Sequence, residues 1–387
     1  MGPIYGKSLS SPKFTRREFF RFCRTSFCTA SAAYLLGLPE TSWAQAKKGL
    51  IKTKLSPYFT AMDRGEIECE LCPHRCRVSQ GKRGLCRVRE NRKGKYYSLV
   101  YGNPSALHLD PIERNPFFHV LPGTNSFTIG TAGCNFQCKF CQRWELSQAS
   151  PEDIYSYDIP PETVVRKAKE MGARSIAYTE TEPIIFYEYM LDVGYLAKKA
   201  GILNVIHSNG FINEGPLRNL CKVLDAANID LKGFTETFYR DLCSGKLPPV
   251  IETLKILREE KIHIEITNLM IPTNNDEMSV VREMCLWVKR ELGSHTPIHF
   301  LRFYPLYKLR SLPPTPVSTL EEARAMALSC GLEYVYIGNI PGHEGGHTFC
   351  PRCKKMVIQR IGFMVGEIHL RDGKCGYCGK PLPGIWT

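Results

Sequence analysis

The sequence predicts an α/β protein whose main domain is a partial (β/α)6-type barrel. From Phe127 onward, short apolar runs alternate with amphipathic helical segments, and six or seven such units follow one another. Strands that alternate with helices form parallel sheets, and this number of units suits a partial or closed barrel. The chain has 387 residues, which is enough for one large domain and smaller modules.

Changes in composition divide the chain into four predicted segments. The barrel is preceded and followed by stretches rich in cysteine, and the N-terminus resembles a targeting segment. The predicted segments are a leader (1–46), a Cys-rich N-terminal module (47–125), the barrel (126–340) and a C-terminal cysteine module (341–387).

The amount and distribution of charge indicate which classes of binding partner to expect. The formal net charge is +13, but the basic residues are spread along the sequence without a run of five. A spread of this kind argues against nucleic-acid binding and suits an anionic redox donor or an acidic protein. No stretch reaches the ~20 apolar residues of a membrane-spanning helix, which argues against a polytopic membrane protein.

The leader resembles a twin-arginine export signal. Thr15–Phe20 reads TRREFF, an apolar stretch follows from Thr25 to Leu38, and Ala44–Ala46 is an A-x-A cleavage pattern. The leader therefore predicts twin-arginine export or, if it is uncleaved, a membrane tether. The alternative is a basic amphipathic helix that carries no signal, in which case the protein would be cytoplasmic.

Cysteine is the most informative residue type, with 17 in the chain. Three groups have the short spacings that bring thiolates around a metal, whereas disulfide scaffolds are usually much smaller proteins. The isolated cysteines lie mostly in apolar helical stretches and are predicted to be core residues; they are Cys221, Cys243, Cys285 and Cys330.

The group that carries the chemistry follows the first strand of the barrel. Gly133–Cys141 reads GCNFQCKFC, so that Cys134, Cys138 and Cys141 have the spacing C-x3-C-x2-C. Three thiolates on a compact loop can bind three irons of a cubane and leave the fourth iron open. A structural metal would use four protein ligands, and barrel enzymes place their active sites at this end of the strands.

This spacing, its position after the first strand and the aromatic Phe140 just before the third cysteine resemble the radical S-adenosylmethionine (SAM) superfamily. The rest of the chain resembles the AmmeMemoRadiSam system radical SAM enzymes, which are related to pyruvate formate-lyase activating enzymes. The resemblance implies a [4Fe-4S] cluster on Cys134, Cys138 and Cys141. SAM would bind the open iron, and its reductive cleavage would give a 5′-deoxyadenosyl radical that abstracts hydrogen from a substrate. The shared segments include CELCPHRC (69–76), DPIE (110–113), YTETEP (178–183), SNG (208–210), DLKG (230–233) and RFYP (302–305).

The resemblance also implies a set of SAM-contacting residues after the second, third and fourth barrel strands. They are Glu182, Ser208, Asn209, Gly210, Asp230 and Lys232. Two departures from the activating-enzyme pattern stand out. Glu180 and Thr181 replace two glycines, and His207 replaces an aspartate, so a cation site built from two Asp would have lost one.

Partners and substrate follow only from the resemblance. It implies an electron donor of the flavodoxin or ferredoxin type, and Memo-type and AMMECR-type proteins as possible partners. The substrate could be a glycine of a partner protein, as for activating enzymes, or a small molecule. The alternative function is a non-catalytic iron–sulfur electron-transfer protein, which would need a fourth cluster ligand near residues 134–141.

Two further cysteine groups predict closed metal sites. Cys69, Cys72, Cys76 and Cys86 lie within 18 residues, and either zinc or a second iron–sulfur cluster would fit them. The C-terminal group has two C-x2-C pairs separated by two short predicted strands, which is typical of a zinc ribbon. Its predicted ligands are Cys350, Cys353, Cys375 and Cys378.

Overall fold

The main sheet has eight strands in this structure, a computed structural model that describes residues 45–387. The strands are β1 (Ala106–Pro111), β2 (Asn125–Gly130), β3 (Ser175–Tyr178), β4 (Leu203–Ser208), β5 (Ala226–Asp230), β6 (His263–Met270), β7 (Ile298–Arg302) and β8 (Val335–Gly338). They neighbour one another in chain order; β1 is antiparallel to β2, and every later pair is parallel. The mixed α/β fold with a parallel sheet is thereby confirmed.

A helix follows each strand from β2 to β7, which gives six β/α units. The helices of eight or more residues in the described part are α1 (Pro161–Glu170), α2 (Tyr187–Lys199), α3 (Glu214–Cys221), α4 (Leu247–Glu259), α5 (Met278–Glu291) and α6 (Val317–Ser329). Shorter helical turns span Asp63–Gly65, Ile112–Arg114, Trp144–Ser147, Pro151–Asp153, Pro183–Phe186, Glu236–Phe238, Tyr239–Cys243 and Glu344–Gly346.

Local sequence explains both element types. All four residues of β3 are buried, as expected for a parallel strand with both faces covered. Helix α1 begins at Pro161, where the missing N–H costs nothing, and its buried residues recur at helical spacing as Pro161, Val164 and Ala168. The α helices therefore pack one apolar face and leave their charged face to solvent.

Strand β1 lies within the segment predicted as the N-terminal module, yet it pairs along its full length with β2. The module therefore supplies an edge strand to the main sheet. Its other strands form small sheets of their own, with one strand from the barrel segment; these strands are Lys47–Lys48 with Tyr155–Ser156, Lys54–Leu55 with Lys95–Ser98 and Arg89–Arg92, and Phe59–Ala61 with Ile67–Cys69 and Arg77–Val78.

The C-terminal module packs against the segment between β1 and β2. The buried guanidinium of Arg360 donates to the carbonyl of Phe118 at 2.7 Å and lies over the Phe118 ring. The backbone N–H of Leu121 donates to Ile385, and that of Ile385 donates to His119. The strands of this module are Thr348–Phe349, Met356–Ile361, Met364–Ile368, Leu370–Arg371 and Lys374–Cys375.

The predicted leader lies outside the described residues, apart from its last two positions. The residues from Ala46 to Thr387 cluster into one unit. Within residues 45–387, none of the helices combines the length and the apolar character that crossing a bilayer requires.

Candidate functional site

The loop that carries the central cysteines follows β2 and is fixed by backbone hydrogen bonds. The N–H groups of Gln137 and Lys139 donate to the carbonyls of Cys243 and Leu242 at 3.0 and 2.8 Å. Gly133 adopts φ +91°, and a Cβ there would lie 2.5 Å from the carbonyl oxygen of Cys86. Only glycine allows this conformation and this approach, so the residue before Cys134 packs directly on the N-terminal module.

The three thiols line one cavity of about 370 Å³. The backbone N–H of Phe136 donates to the Cys134 sulfur at 3.3 Å, and the Ser147 hydroxyl lies 3.2 Å from the Cys141 sulfur. Burial raises the pKa of the Cys134 thiol well above its usual value. A buried thiol with a raised pKa becomes a thiolate when a metal charge compensates it.

Cys243 lies behind this loop, and the sequence did not indicate its position. It is fully buried in the helical turn Tyr239–Cys243, and its thiol is hydrogen-bonded to Cys138. That hydrogen bond is the main factor that lowers the pKa of Cys138. Among the described residues that line the cavity, the cysteines are Cys134, Cys138 and Cys141, so Cys243 contacts Cys138 without lining the cavity.

Glu182 joins the loops after β3 and β4. Its carboxylate accepts hydrogen bonds from the N–H of Ile184 (3.1 Å), the hydroxyl of Ser208 (2.7 Å) and the N–H of Asn209 (2.8 Å). Burial is the largest cause of a pKa raised to about 7. A carboxylate has about four lone-pair sites, so one remains for a ligand in the cavity.

Asn209 and Gly210 hold the same two loops in place. The Asn209 amide donates to the side-chain oxygen of Asn135 at 2.8 Å, beside Cys134. Gly210 adopts φ +69° and packs on Ile229 behind the cavity, outside its lining. Asn209 therefore touches both the cavity and the cysteine loop, whereas Gly210 shapes the turn.

Asp230 and Lys232 form a charged pair at the end of β5. The Lys232 ammonium lies 2.6 Å from one Asp230 oxygen, and His207 Nε2 lies 2.8 Å from the other. Although burial acts in the opposite direction, Lys232 and His207 lower the pKa of Asp230. Both Asp230 oxygens thus have cationic or hydrogen-bonding partners from the protein itself.

Glu180 stands where the activating-enzyme pattern has a glycine, and it adopts a left-handed backbone conformation with φ 67°. Glycine adopts this conformation without strain, whereas other residues seldom do. Ion pairs of Glu180 with Arg143 (2.7 Å) and Arg114 (3.6 Å) stabilise the turn. The backbone shape is therefore one that glycine would favour, while the side chain adds charge at the cavity wall.

Apart from Ser208 and Gly210, which line neither cavity, the predicted site residues fall into three places. Cys134, Cys138, Cys141, Glu182, Asn209, Asp230 and Lys232 line the central cavity. The cysteines at 69, 72, 76 and 86 line a separate cavity in the N-terminal module. The four C-terminal cysteines form a compact group whose ligand atoms all lie within 4.8 Å of one another, close enough to bind a metal ion.

Comparison with known proteins identifies the family. The Radical SAM superfamily profile matches residues 128–284, which include the cysteine loop and the residues after β3, β4 and β5. The chain belongs to the radical SAM superfamily. Members of this superfamily are enzymes, and membership implies a [4Fe-4S] cluster and SAM.

A relative extends the match over most of the chain. The uncharacterized protein MJ0808 of Methanocaldococcus jannaschii is 41% identical over 327 residues, which cover 84% of this chain and 97% of that protein. The radical SAM protein described here and MJ0808 are therefore members of one family.

Two solved structures resemble the fold at low identity. A radical SAM methyltransferase from Sphaerobacter thermophilus is 12% identical, with a TM-score of 0.45, and the match covers 81% of this chain and 82% of that one. A domain of pyruvate-formate lyase-activating enzyme from Bacteroides vulgatus is 14% identical, with a TM-score of 0.39 and coverage of 43% and 99%. Likeness of this size does not extend to reaction or substrate.

The residues present fit the cofactors that the superfamily implies. Three thiols on one loop face a cavity that also exposes a carboxylate, an amide and an ammonium group, from Glu182, Asn209 and Lys232. Thiolates are the usual ligands of iron–sulfur clusters. The polar groups suit the amino, carboxylate and sulfonium groups of SAM.

Proposed function

We propose that this chain is a catalytic radical SAM enzyme whose cluster is bound by Cys134, Cys138 and Cys141. The observation that supports it is that these thiols share one cavity with the side chains after β3, β4 and β5. With cluster and SAM bound, reductive cleavage of SAM supplies a 5′-deoxyadenosyl radical that abstracts hydrogen from the substrate.

The protein's own residues orient the ligand and exclude water. Glu182 is 2% exposed and has one lone-pair site left to accept from the amino group of SAM. Asn209 offers an amide beside Cys134, and Lys232 compensates the charge of Asp230. Fixed polar groups in a buried site act more strongly than they would in water.

We also propose that the sheet curves into the partial barrel that the sequence predicts. Residues of the β2 loop and Gly338 of β8 line the same cavity, although these strands stand at opposite ends of the parallel part of the sheet. Neighbouring strands lie ~4.8 Å apart, so a flat sheet would separate these residues by roughly 30 Å. Only a curved sheet brings them around one cavity.

The reaction we propose is hydrogen abstraction of the activating-enzyme type, on a glycine of a partner protein or on a small molecule. The support is the set of segments shared with AmmeMemoRadiSam system enzymes, including Glu182-Pro183 and Asp230-x-Lys232. The same resemblance supports Memo-type and AMMECR-type partners and a flavodoxin- or ferredoxin-type electron donor. Twin-arginine export or membrane tethering remains a prediction on residues outside the described part.

A second candidate is a non-catalytic iron–sulfur electron-transfer protein. One observation favours it: Cys243 is in contact with Cys138 and could serve as a fourth ligand. The position of Cys243 outside the cavity lining argues for the open-iron enzyme instead.

The test of the enzyme is SAM cleavage after anaerobic reconstitution. Wild type should yield 5′-deoxyadenosine with SAM and a reductant, whereas Cys134→Ala, Cys138→Ala and Cys141→Ala should each abolish it while the circular dichroism spectrum is retained. Cys285→Ala, a buried thiol outside the cysteine groups, should cleave SAM as wild type does. A wild-type yield from any of the three cluster variants would refute the assignment.

For the C-terminal module we propose a zinc ribbon. The sulfurs of Cys350 and Cys378 lie 3.6 Å apart, and those of Cys353 and Cys375 lie 3.7 Å apart. Tetrahedral zinc with Zn–S bonds of ~2.3 Å places its sulfurs about 3.8 Å apart. Replacing Cys353 and Cys378 with Ser should remove about one zinc per chain and leave the iron content unchanged; unchanged zinc would contradict the proposal.

A further inference from the structure

The N-terminal cysteines enclose a cavity of their own, of about 20 Å³. All four thiols are free of disulfide bonds, and Cys69 and Cys86 are buried. The cavity is lined by Cys69, Cys72, Cys76, Cys86, Arg89, Tyr96 and neighbouring apolar residues. The sequence left open whether zinc or iron–sulfur occupies such a site.

We propose that these four cysteines hold a second iron–sulfur cluster rather than a single metal ion. The inference rests on the proposed function, since a second redox centre has a use only beside a cluster that must be reduced. Either a [2Fe-2S] or a [4Fe-4S] cluster takes four cysteine ligands.

The spacing of the sulfurs distinguishes the two kinds of site. Within the described part of the chain, the C-terminal cysteines are the group of three or more ligands whose atoms all lie within 4.8 Å of one another. Neither the N-terminal cysteines nor the three of the central loop meet that limit. A single ion needs its sulfurs about 3.8 Å apart, whereas a cluster binds them through different irons and spreads them further.

Backbone N–H groups donate hydrogen bonds to the sulfurs of the N-terminal cysteines, as is common for cysteines that bind a metal. The N–H groups of Leu71, His74 and Val88 donate to the sulfurs of the cysteines two residues before them. Phe136 donates to Cys134 in the same way in the central loop. Hydrogen bonds of this type stabilise thiolate sulfur and tune the reduction potential of a cluster.

Arg89 supplies a donor that has no partner within the protein. Its side chain is 1% exposed, two of its nitrogens donate to Glu188, and its Nε is buried without a hydrogen-bond partner among the described residues. Arg89 lines the cysteine cavity, and a buried unpaired N–H is costly. The sulfides and thiolates of a cluster would provide acceptors for it.

The second cavity adjoins the loop of the first cluster. The carbonyl of Cys86 packs on Gly133, and His74 Nε2 donates to the carbonyl of Asn135 at 2.7 Å, so contacts are made on both sides of Cys134. A flavodoxin- or ferredoxin-type donor would lose one electron to the second cluster, which would pass it to the first. No bond changes in that step, and zinc, which has no redox chemistry, could not perform it.

Metal and sulfide counts on the full-length protein test the inference. Wild type should contain about six to eight irons and about one zinc per chain. The Cys134→Ala/Cys138→Ala/Cys141→Ala variant should keep about two to four irons and a paramagnetic signal when reduced. Cys72→Ser/Cys76→Ser should keep about four irons, since it changes only the second site.

If the triple variant contains no iron and about two zincs, the second cluster is overturned, while wild-type SAM cleavage would leave the proposed function intact. If wild type fails to cleave SAM but the triple variant retains iron, the proposed function is overturned while the second cluster is supported. Should the triple variant not accumulate, reduced wild type can be examined by electron paramagnetic resonance. Two signals, of which one changes on adding SAM, are expected; a single signal would refute the second cluster.

Discussion

At the scale of single residues, Cys243 distinguishes the two candidate functions, a catalytic radical SAM enzyme and a non-catalytic electron-transfer protein. Its thiol is hydrogen-bonded to Cys138, a proposed cluster ligand, and Cys243 is not among the described residues that line the cavity. We expect Cys243→Ala to keep the cluster's iron and SAM cleavage while the reduction potential falls, because hydrogen bonds to cluster sulfur raise that potential. Potentiometric titration with iron analysis measures both.

Cys243→Ser retains a donor of similar size and should shift the potential less than Cys243→Ala does. Loss of iron in Cys243→Ala as complete as in Cys138→Ala would mean that Cys243 is a fourth ligand. The electron-carrier function would then be the better proposal.

Glu182 carries the second residue-scale prediction. Glu182→Gln replaces one acceptor oxygen with an N–H₂ group, which would oppose the N–H of Asn209 or the amino group of SAM. SAM affinity should fall about tenfold or more, as expected for a lost charge-assisted hydrogen bond of ~1.5–3 kcal/mol. Ser208→Ala removes one partner of Glu182 but keeps the carboxylate, so its SAM affinity by calorimetry should remain closer to wild type.

What the sequence could predict at this scale depended on local spacing. Cys134, Cys138 and Cys141 are close in sequence, so their spacing was sufficient to propose a shared metal. Cys243 lies in a helical turn about 100 residues further along the chain, and no periodicity in the sequence predicts its contact with Cys138. The hydrogen bonds of Glu182 to Ser208 and Asn209 were equally hidden, because those residues lie in a different loop, which only the folded sheet brings near.

At the scale of elements, the alternation of strands and helices was predictable because each parallel strand is buried and each helix is amphipathic. The antiparallel β1 was not, since it lies in the segment predicted as the Cys-rich N-terminal module and pairs with β2 across a connection that includes Ile112–Arg114. That connection is also where the C-terminal module docks, through contacts between segments that are distant in sequence.

His119 makes this docking sensitive to pH. Its Nδ1 donates to the carbonyl of Pro383 at 2.7 Å, and its Nε2 faces the hydroxyl of Tyr336 at 2.6 Å, so the neutral ring suits both partners. Burial lowers the pKa of His119 from 6.5 to about 3. The unfolded chain therefore binds a proton that the folded chain does not, and stability present above pH 6.5 is lost as the pH falls toward 3.

The unfolded chain has a histidine pKa of about 6.5, so pH 5.5 lies one pH unit below it. One unit corresponds to about 1.4 kcal/mol, which is the expected loss of unfolding free energy at pH 5.5 relative to pH 7.5. His119→Gln cannot take up that proton, so the difference in unfolding free energy between wild type and His119→Gln should shrink by that amount between the two pH values. His295→Gln, at an exposed histidine, serves as the control and should leave the difference constant. If the difference in unfolding free energy between wild type and His119→Gln is the same at both pH values, His119 has the same pKa in the folded and unfolded chain and the prediction is wrong.

At the scale of the whole molecule, charge is unevenly distributed around the two proposed redox centres. Residues 71–95, which surround the N-terminal cysteine cavity, contain nine Lys and Arg but one Glu. The net charge of +13 is evident from the sequence, but only the folded chain shows that this basic segment adjoins the loop of Cys134. Arg89 is buried, but Lys82, Lys93 and Lys95 are exposed, and a basic surface of this kind at the outer centre suits an acidic electron-donor protein.

The last prediction concerns that surface. SAM cleavage driven by an acidic flavodoxin or ferredoxin should slow on the order of tenfold as ionic strength rises from about 0.02 to 0.3 M, because screening shortens the range of attraction. Charge reversal at two exposed positions, Lys82→Glu with Lys95→Glu, should slow the donor-driven rate at low salt and flatten its salt dependence. The matched control is Lys169→Glu with Lys199→Glu, which changes net charge equally on α1 and α2. With a small chemical reductant, both variants should cleave SAM at the wild-type rate, and equal donor-driven rates in the two variants would place the donor's docking surface elsewhere.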